Sequence, residues 1–419
     1  MLKEITVKNF RSFNEEVTFT MEADVERVSE HPEHVETIND NFLLKVASVY
    51  GPNGGGKSNL IKALIIPRYI LNAENYYLGS DLSCVFNGSN DIEETIFFVV
   101  DKYEIGYHFI VNYSTDNDMD MLEMPSERRP MPRSHFDIIQ EDIVYRKNAD
   151  QDFISLCSRN KDGSVNGEEF IKLFENKEFK LAKRMSIVKY VYDIFANNES
   201  PLFEQFEIIK YLYKEIHKIM PLDSRYMIAT PLLRLIKKHS AKLVQLLNEL
   251  DIKISNIKIY EKRPSPIYFV RKRYIDEKEI EKELPLGSES QGTQKIFYIL
   301  IRVLEFMDNG VIFYCDDMNA YLHPKLYKTI VHLFHSNNMK SQLIFNSHDI
   351  LNMNNDLFRR DEIWFAYRDD NYSTKLIPLS NIVNYKGEQV RKDAKYYKQY
   401  LEGKYGADPF ISRGLHWDE

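Results

Sequence analysis

The chain has 419 residues and a mass of 49.6 kDa, with 43% apolar and 28% charged residues. That balance excludes a disordered, collagen-like or purely coiled-coil protein and allows about two or three domains. Fifty-five basic against 63 acidic residues leave a net charge of −8, so overall charge does not make it a nucleic-acid binder, and any such contact has to come from a local basic patch.

The elements follow in chain order. LKEITVKNF and EVTFTME alternate apolar and polar residues and predict two half-buried antiparallel strands. The β-rich run LLKVASVY leads into a glycine loop and then an apolar helical segment, LIKALIIPRYIL. TIFFVVD and YEIGYHFIVNY predict a hairpin turning near Lys102–Gly106, and IIQEDIVYRK a further strand. From Glu168 to Asp251 the period becomes helical: FEQFEIIKYLYKEIHKIM is amphipathic, Thr230-Pro231 is a capping start, and Leu243, Leu246, Leu247 and Leu250 share one face. Strand-like text returns in NIKIYEK and SPIYFVRKRY, followed by a serine-rich loop, the helix TQKIFYILIRVLEFM and the buried strand Val311–Cys315. A helix from Pro324, a strand at Gln342–Phe345, and the strands EIWFAYR and TKLIPL complete the pattern. No stretch reaches the roughly 18 apolar residues of a membrane span, and MLKEITVKNF lacks the apolar core of a secretion signal. Cys84, Cys157 and Cys315 form neither a metal spacing nor a disulfide framework. A cytoplasmic chain without a membrane partner is therefore expected.

Gly51-Pro52-Asn53-Gly54-Gly55-Gly56-Lys57-Ser58, followed by Asn59, matches the phosphate-loop pattern G-x-x-x-x-G-K-[ST]. The glycines let successive backbone N–H groups turn inward on phosphate oxygens. Lys57 is expected to reach the β- and γ-phosphates of ATP, and the Ser58 hydroxyl to hold Mg²⁺. Such a loop needs carboxylates to finish the metal shell and to handle water. Asp316 and Asp317 end the apolar strand Val311–Cys315, where they are expected to reach the loop on the neighbouring strand. Asp316 is assigned to Mg²⁺ through water, and Asp317 to orienting or deprotonating the attacking water. His348 ends the next apolar strand; it reads either as a structural histidine or as a contact to the γ-phosphate.

In this order the pieces resemble an ABC-type ATPase head: Walker A at 51–58, Walker B at 311–317, the loop Asn319 to Pro324, and a switch histidine, His348. Upstream, Ser290-Gln291-Gly292-Thr293 resembles the signature segment that opens a helix and would face the γ-phosphate held by another copy; a serine-rich helix cap is the alternative. Asn9-Phe10-Arg11-Ser12-Phe13 and the closing Tyr400–Ala407 narrow the likeness to AAA-type ATPases of abortive-infection systems, similar to AbiL and RloA and related to the OLD and RecF heads. That resemblance implies that Asn9 and Arg11 lie near the base and ribose. It also implies an α/β ATPase head, a mixed sheet with helices, interrupted by a helical insertion. The expected division is 1–150, the lobe with Walker A; 151–254, a mainly helical insertion projecting from the head; and 255–419, the lobe with signature, Walker B, His348 and tail. Three departures stand out: Asp317 replaces the usual glutamate, Asn319 an acidic residue, and no Q-loop glutamine is placed, since Gln140, the candidate, reads better as a surface strand residue.

OLD proteins carry a nuclease domain after the head, whereas about seventy residues follow His348. The resemblance therefore implies a separately encoded effector, often a nuclease, and homo-oligomers joined through ATP. An antiphage sensor or scaffold ATPase leads. A RecF-like repair ATPase clamping duplex DNA is the alternative, and a P-loop ATPase with a small-molecule role the third reading. The basic stretches Lys262-Arg263 with Arg271-Lys272-Arg273, and Arg234, Lys237, Lys238, His239 and Lys242, read as solvated faces or as phosphate contacts for nucleic acid. The tail around Lys395–Tyr400 is sticky enough to pack on the head, reach the site's rim or meet a partner.

Overall fold

The computed structural model describes residues 1–72, 82–115, 134–174, 180–196, 203–223, 230–260, 266–275, 278–383, 387–391 and 393–407. Five strands open the chain: β1 (Leu2–Lys8), β2 (Val17–Thr20), β3 (Val35–Ile38), β4 (Asn41–Leu44) and β5 (Val46–Tyr50). The run expected as one strand, LLKVASVY, is thus broken at Lys45. The glycine loop then feeds α1 (Lys57–Ala63), α2 (Ile66–Asn72) follows, and β6 (Asp91–Val100), β7 (Tyr103–Thr115) and β8 (Ser134–Arg146) come next. The β6–β7 hairpin turns at Asp101-Lys102, with Asp101 at φ 52°, and Gly106 lies inside β7.

The middle of the chain supplies β9 (Ile154–Arg159), β10 (Val165–Asn166), α3 (Glu168–Ile171), α4 (Ile187–Phe195), α5 (Glu204–His217), β11 (Ile219–Pro221) and α6 (Thr230–Glu249). The last third holds β12 (Asn256–Ile259), β13 (Ile267–Ile275), β14 (Lys278–Pro285), α7 (Gln291–Phe306), β15 (Ile312–Cys315), α8 (Pro324–His335), β16 (Gln342–Asn346), β17 (Ile363–Arg368), β18 (Thr374–Pro378) and α9 (Tyr396–Leu401).

The fold is mixed α/β. An antiparallel seven-stranded sheet runs in the order β10-β9-β8-β7-β6-β1-β2. A six-stranded sheet runs β11-β15-β16-β5-β17-β18 and is parallel except for β18. A three-stranded sheet, β12-β13-β14, and the β3-β4 pair complete the set. Strands buried on both faces read as continuous apolar runs, which is why β15 and β16 stood out in the sequence.

The stretch 151–254 is woven into these layers. Its β9 and β10 edge the seven-stranded sheet, and β11 pairs with β15 in the parallel one. Ile187, Val188 and Val191 of α4 and Phe206, Ile208 and Leu212 of α5 share a core with the first sheet. Leu243 and Leu247 of α6 join α7 and the three-stranded sheet in another. The tail packs on the head: Tyr400 stacks on Phe365 of β17 at 5.5 Å, Tyr405 lies 5.2 Å from the same ring, and Tyr400 donates to Ala407 O at 3.0 Å.

Candidate functional site

The phosphate loop leaves the carboxyl end of β5, between β16 and β17. Ligands of open α/β sheets bind at that edge. Gly51 has φ 143°, and a Cβ there would fall 2.0 Å from Ala366 O of β17, so no side chain is tolerated. From the other side, Thr374 of β18 donates to Gly55 O at 3.0 Å and shares a hydroxyl–hydroxyl hydrogen bond of 2.7 Å with Ser12 Oγ, to which Asn59 donates at 2.7 Å. The loop is therefore held before any ligand arrives. Lys57 is buried, and its ammonium donates to Gly51 O and Pro52 O at 2.9 Å each. Burial lowers its pKa, opposed by Asp317 and Asp316.

Asp316 and Asp317 end β15, but β15 does not neighbour β5: β16 lies between them. This corrects the expectation that the carboxylates sit on the adjacent strand. They still reach the loop, because Ser58 Oγ donates to Asp316 Oδ1 at 2.8 Å. The intervening strand contributes Asn346, a fully buried residue missed in the sequence. Its amide donates to Asp316 Oδ1, and its oxygen accepts from the Asp317 N–H at 2.7 Å. That second bond holds Asp317 at φ 52°, a left-handed conformation rare for a non-glycine residue. A buried asparagine ending an apolar strand was the available signal.

His348 follows β16, with Nε2 3.9 Å from Asp317 Oδ1 and both side chains about half exposed. Burial, and next the Lys57 charge, lower the His348 pKa despite Asp317 and Asp316, which favours neutral imidazole near pH 7. Asn319 accepts from Ser347 Oγ and the His348 N–H at 3.0 Å each, so its side chain is engaged within its own chain.

The Ser290–Thr293 segment begins α7. Ser290 Oγ caps the helix by accepting from the Thr293 N–H at 3.2 Å, and Ser290 and Gln291 are exposed. The capping reading and an exposed helix terminus thus coexist. Gly292 packs so closely on the loop after β15 that a Cβ would lie 2.4 Å from Tyr321 O. Lys295, buried in the same helix, donates to Asp317 O at 2.8 Å and pairs with Asp223 at 3.4 Å. A lysine amid apolar helical residues could have flagged it.

Asn9 is tied to the segment that follows α2. It is 3% exposed, and its amide donates to Ser89 O and Asp91 O at 2.8 Å while its oxygen accepts from the Cys84 N–H. Its polar atoms are thus engaged in holding the 82–91 segment. Arg11 is half-buried at φ 52°, its N–H donating to Leu82 O at 2.6 Å, and burial lowers its pKa. An exposed aromatic pair, Phe86 and Tyr372, stacks nearby with centroids 5.9 Å apart; Asn87 binds Asn14, and Tyr372 precedes Thr374 by two residues. Gln140 lies on β8 and donates to Asp142 at 2.6 Å.

Of the basic stretches, Lys238 and His239 bind Glu305 at 2.7 and 2.8 Å, and Arg271 binds Glu289. Lys262 and Arg263 lie outside the described residues. Among the described residues, no helix is long and apolar enough to cross a membrane.

Strand, glycine loop and helix, with the first of two paired carboxylates bonded to the loop serine, define a P-loop ATPase domain. The chain belongs to the family described as "AAA domain, putative AbiEii toxin, Type IV TA system", whose model matches residues 46–354. Among solved structures it is similar to the SMC head domain from Thermotoga maritima, at 13% identity and TM-score 0.40, covering 90% of this chain and 98% of that one. It is also similar to an SMC head bound to the C-winged helix domain of ScpA, at 12% identity and TM-score 0.37, covering 90% and 97%. No curated protein matches it.

Proposed function

We propose that the chain is an ATP-binding and ATP-hydrolysing sensor or scaffold of an antiphage system, assembling through nucleotide held between two heads and controlling a separately encoded effector, a nuclease by resemblance. The observation that carries the catalytic half is the Ser58–Asp316 contact of 2.8 Å, joined by Asn346 to the backbone of Asp317. Ser58 and Asp316 offer the hard oxygens that Mg²⁺ prefers, and would hold the ion through the hydroxyl and through a bound water respectively. Bound there, the ion would neutralise developing phosphate charge.

Lys57 would exchange its two loop carbonyls for phosphate oxygens. Asp317 would orient or take a proton from water, with neutral His348 close enough to report the γ-phosphate. Phe86 and Tyr372 would offer the base a stacking surface. The exposed Ser290–Thr293 terminus would close over the triphosphate of a second copy. The family description, which names a toxin of a toxin–antitoxin system, supports the defence setting. The proposed division keeps 1–150 and 255–419 as the two lobes, with 151–254 between them.

The test is sedimentation of purified protein with ATP and magnesium. Wild type should form a larger assembly, Asp317→Asn should accumulate it, and Ser290→Arg should stay folded yet fail to associate. A wild-type protein that remains a single chain at saturating nucleotide overturns the reading.

A further inference from the structure

A groove of about 710 Å³ opens between the β13–β14 ribbon and the turn after α6. Strand register explains its chemistry. Phe269 opposes Leu284, Arg271 opposes Lys282, and Arg273 opposes Ile280, and directly opposed residues share a face. That face starts as core, with Phe269 edge-on to Phe297 of α7 at 5.4 Å. It then runs out into a floor of Ile280 and Leu284 among Arg271, Arg273 and Lys282, with Lys253 at the margin.

The opposite face is self-neutralised. Lys272 pairs with Glu279 at 2.7 Å, and Lys258 with Glu281 and Glu283 at 2.8 and 3.0 Å. Lys272 also reaches the groove's lining, and Lys253 pairs with Asp251 at 3.4 Å, but among the described residues Arg273 and Lys282 form no ion pair. Alternating charge alone protects a sheet edge from stray pairing, but it does not sort the carboxylates of a ribbon onto one face.

Arg271 does hold a carboxylate. Its guanidinium forks onto Glu289, with Nη2 3.0 Å from Oε2, and its Nε donates to Lys253 O at 3.2 Å. Glu289 immediately precedes Ser290, the cap of α7. The groove is thus one side chain away from the segment expected to face a second copy's nucleotide.

We propose that this groove binds an acidic peptide segment bearing apolar side chains, carried by a partner protein, and that the segment's carboxylates compete with Glu289 for Arg271. Charge complementarity and the Ile280–Leu284 floor select that occupant. A nucleic-acid strand fits less well: among the described residues, no aromatic ring lines the groove to stack a base. The consequence for the Ser290 segment rests on the proposed nucleotide sandwich, whereas the binding step does not.

The experiment is fluorescence anisotropy without nucleotide, using a short labelled peptide of alternating glutamate and leucine, its lysine–leucine counterpart, and a single-stranded oligonucleotide. Only the glutamate peptide should bind. Arg273→Glu with Lys282→Glu should weaken it about tenfold or more with unchanged thermal unfolding, since both side chains are exposed. Glu289→Gln, which removes the internal competitor's charge, should tighten it several-fold, an effect that a merely structural Glu289 would not produce. Lys57→Ala should bind the peptide like wild type, which separates failure of this proposal from failure of the nucleotide site. No peptide binding, indifference to the double reversal, or preferential binding of the oligonucleotide would each overturn it.

Discussion

Near the amino ends of the parallel strands, Glu362 accepts from His34 Nδ1 and His335 Nε2 at 2.9 Å each, and the two imidazoles stack with centroids 3.4 Å apart. At the carboxyl ends, Lys57, Asp316, Asp317 and His348 bring together the same kinds of group. The first cluster is at most 3% exposed, and Glu362 Oε2 also accepts from the Arg359 N–H at 2.8 Å. In the second, Asp317 and His348 are about half exposed and 3.9 Å apart. A buried carboxylate fixed by three donors clamps the chain; a carboxylate held by its backbone with its side chain facing water remains available for chemistry.

Mutations should separate the two ends. Asp317→Asn should cut ATP turnover by about 10²- to 10⁴-fold while nucleotide binding survives, as phosphate release and a filter-binding assay would read. Lys57→Ala should weaken ATP binding by about 10²-fold and leave thermal unfolding nearly unchanged; retained tight binding would count against the phosphate-loop assignment. Glu362→Ala should do the reverse, costing about 3–5 kcal/mol of stability in denaturant titrations with the residues of the nucleotide site untouched.

Acid should sharpen the contrast. Burial pushes the Glu362 carboxyl up, but His335 and His34 outweigh it and hold its pKa at about 2, below the ordinary 4.5. Its stabilisation is therefore complete above pH 4.5 and lost as pH falls toward 2. Burial also lowers the His335 pKa from 6.5, so that contribution is present above pH 6.5 and declines below it. Both losses have the same sign, and the His335→Gln protein should show a flatter stability profile below pH 6.5. The smallest effect is expected from Phe86→Ala: ATP binding several-fold weaker, with inorganic triphosphate binding unaltered.

The phosphate loop was legible because glycine and lysine at fixed spacing encode a local backbone shape. Strand order was not, since it depends on contacts far apart in sequence: nothing near Asp316 says that β16, with Asn346, lies between it and β5. β14 escaped notice because KEIEKEL places charge on both faces of an edge ribbon, erasing the apolar signal by which strands are read. The bonds of Asn9 to Ser89, Asp91 and Cys84 were not legible either, because they join residues 75 to 82 positions apart. The middle of the chain read as helical because α4, α5 and α6 are, while the short β9, β10 and β11 that stitch it to both sheets carry too few residues for a period to show.

The tail's contact with Phe365 reaches further than its own packing. The residue after Phe365 is Ala366, whose carbonyl oxygen leaves Gly51 no room for a side chain. Tyr400 and Tyr405 therefore buttress the wall against which the glycine loop is moulded. Expression clones trimmed ahead of Tyr396 would forfeit that brace, and dim nucleotide affinity in such a fragment would reflect a slackened cradle.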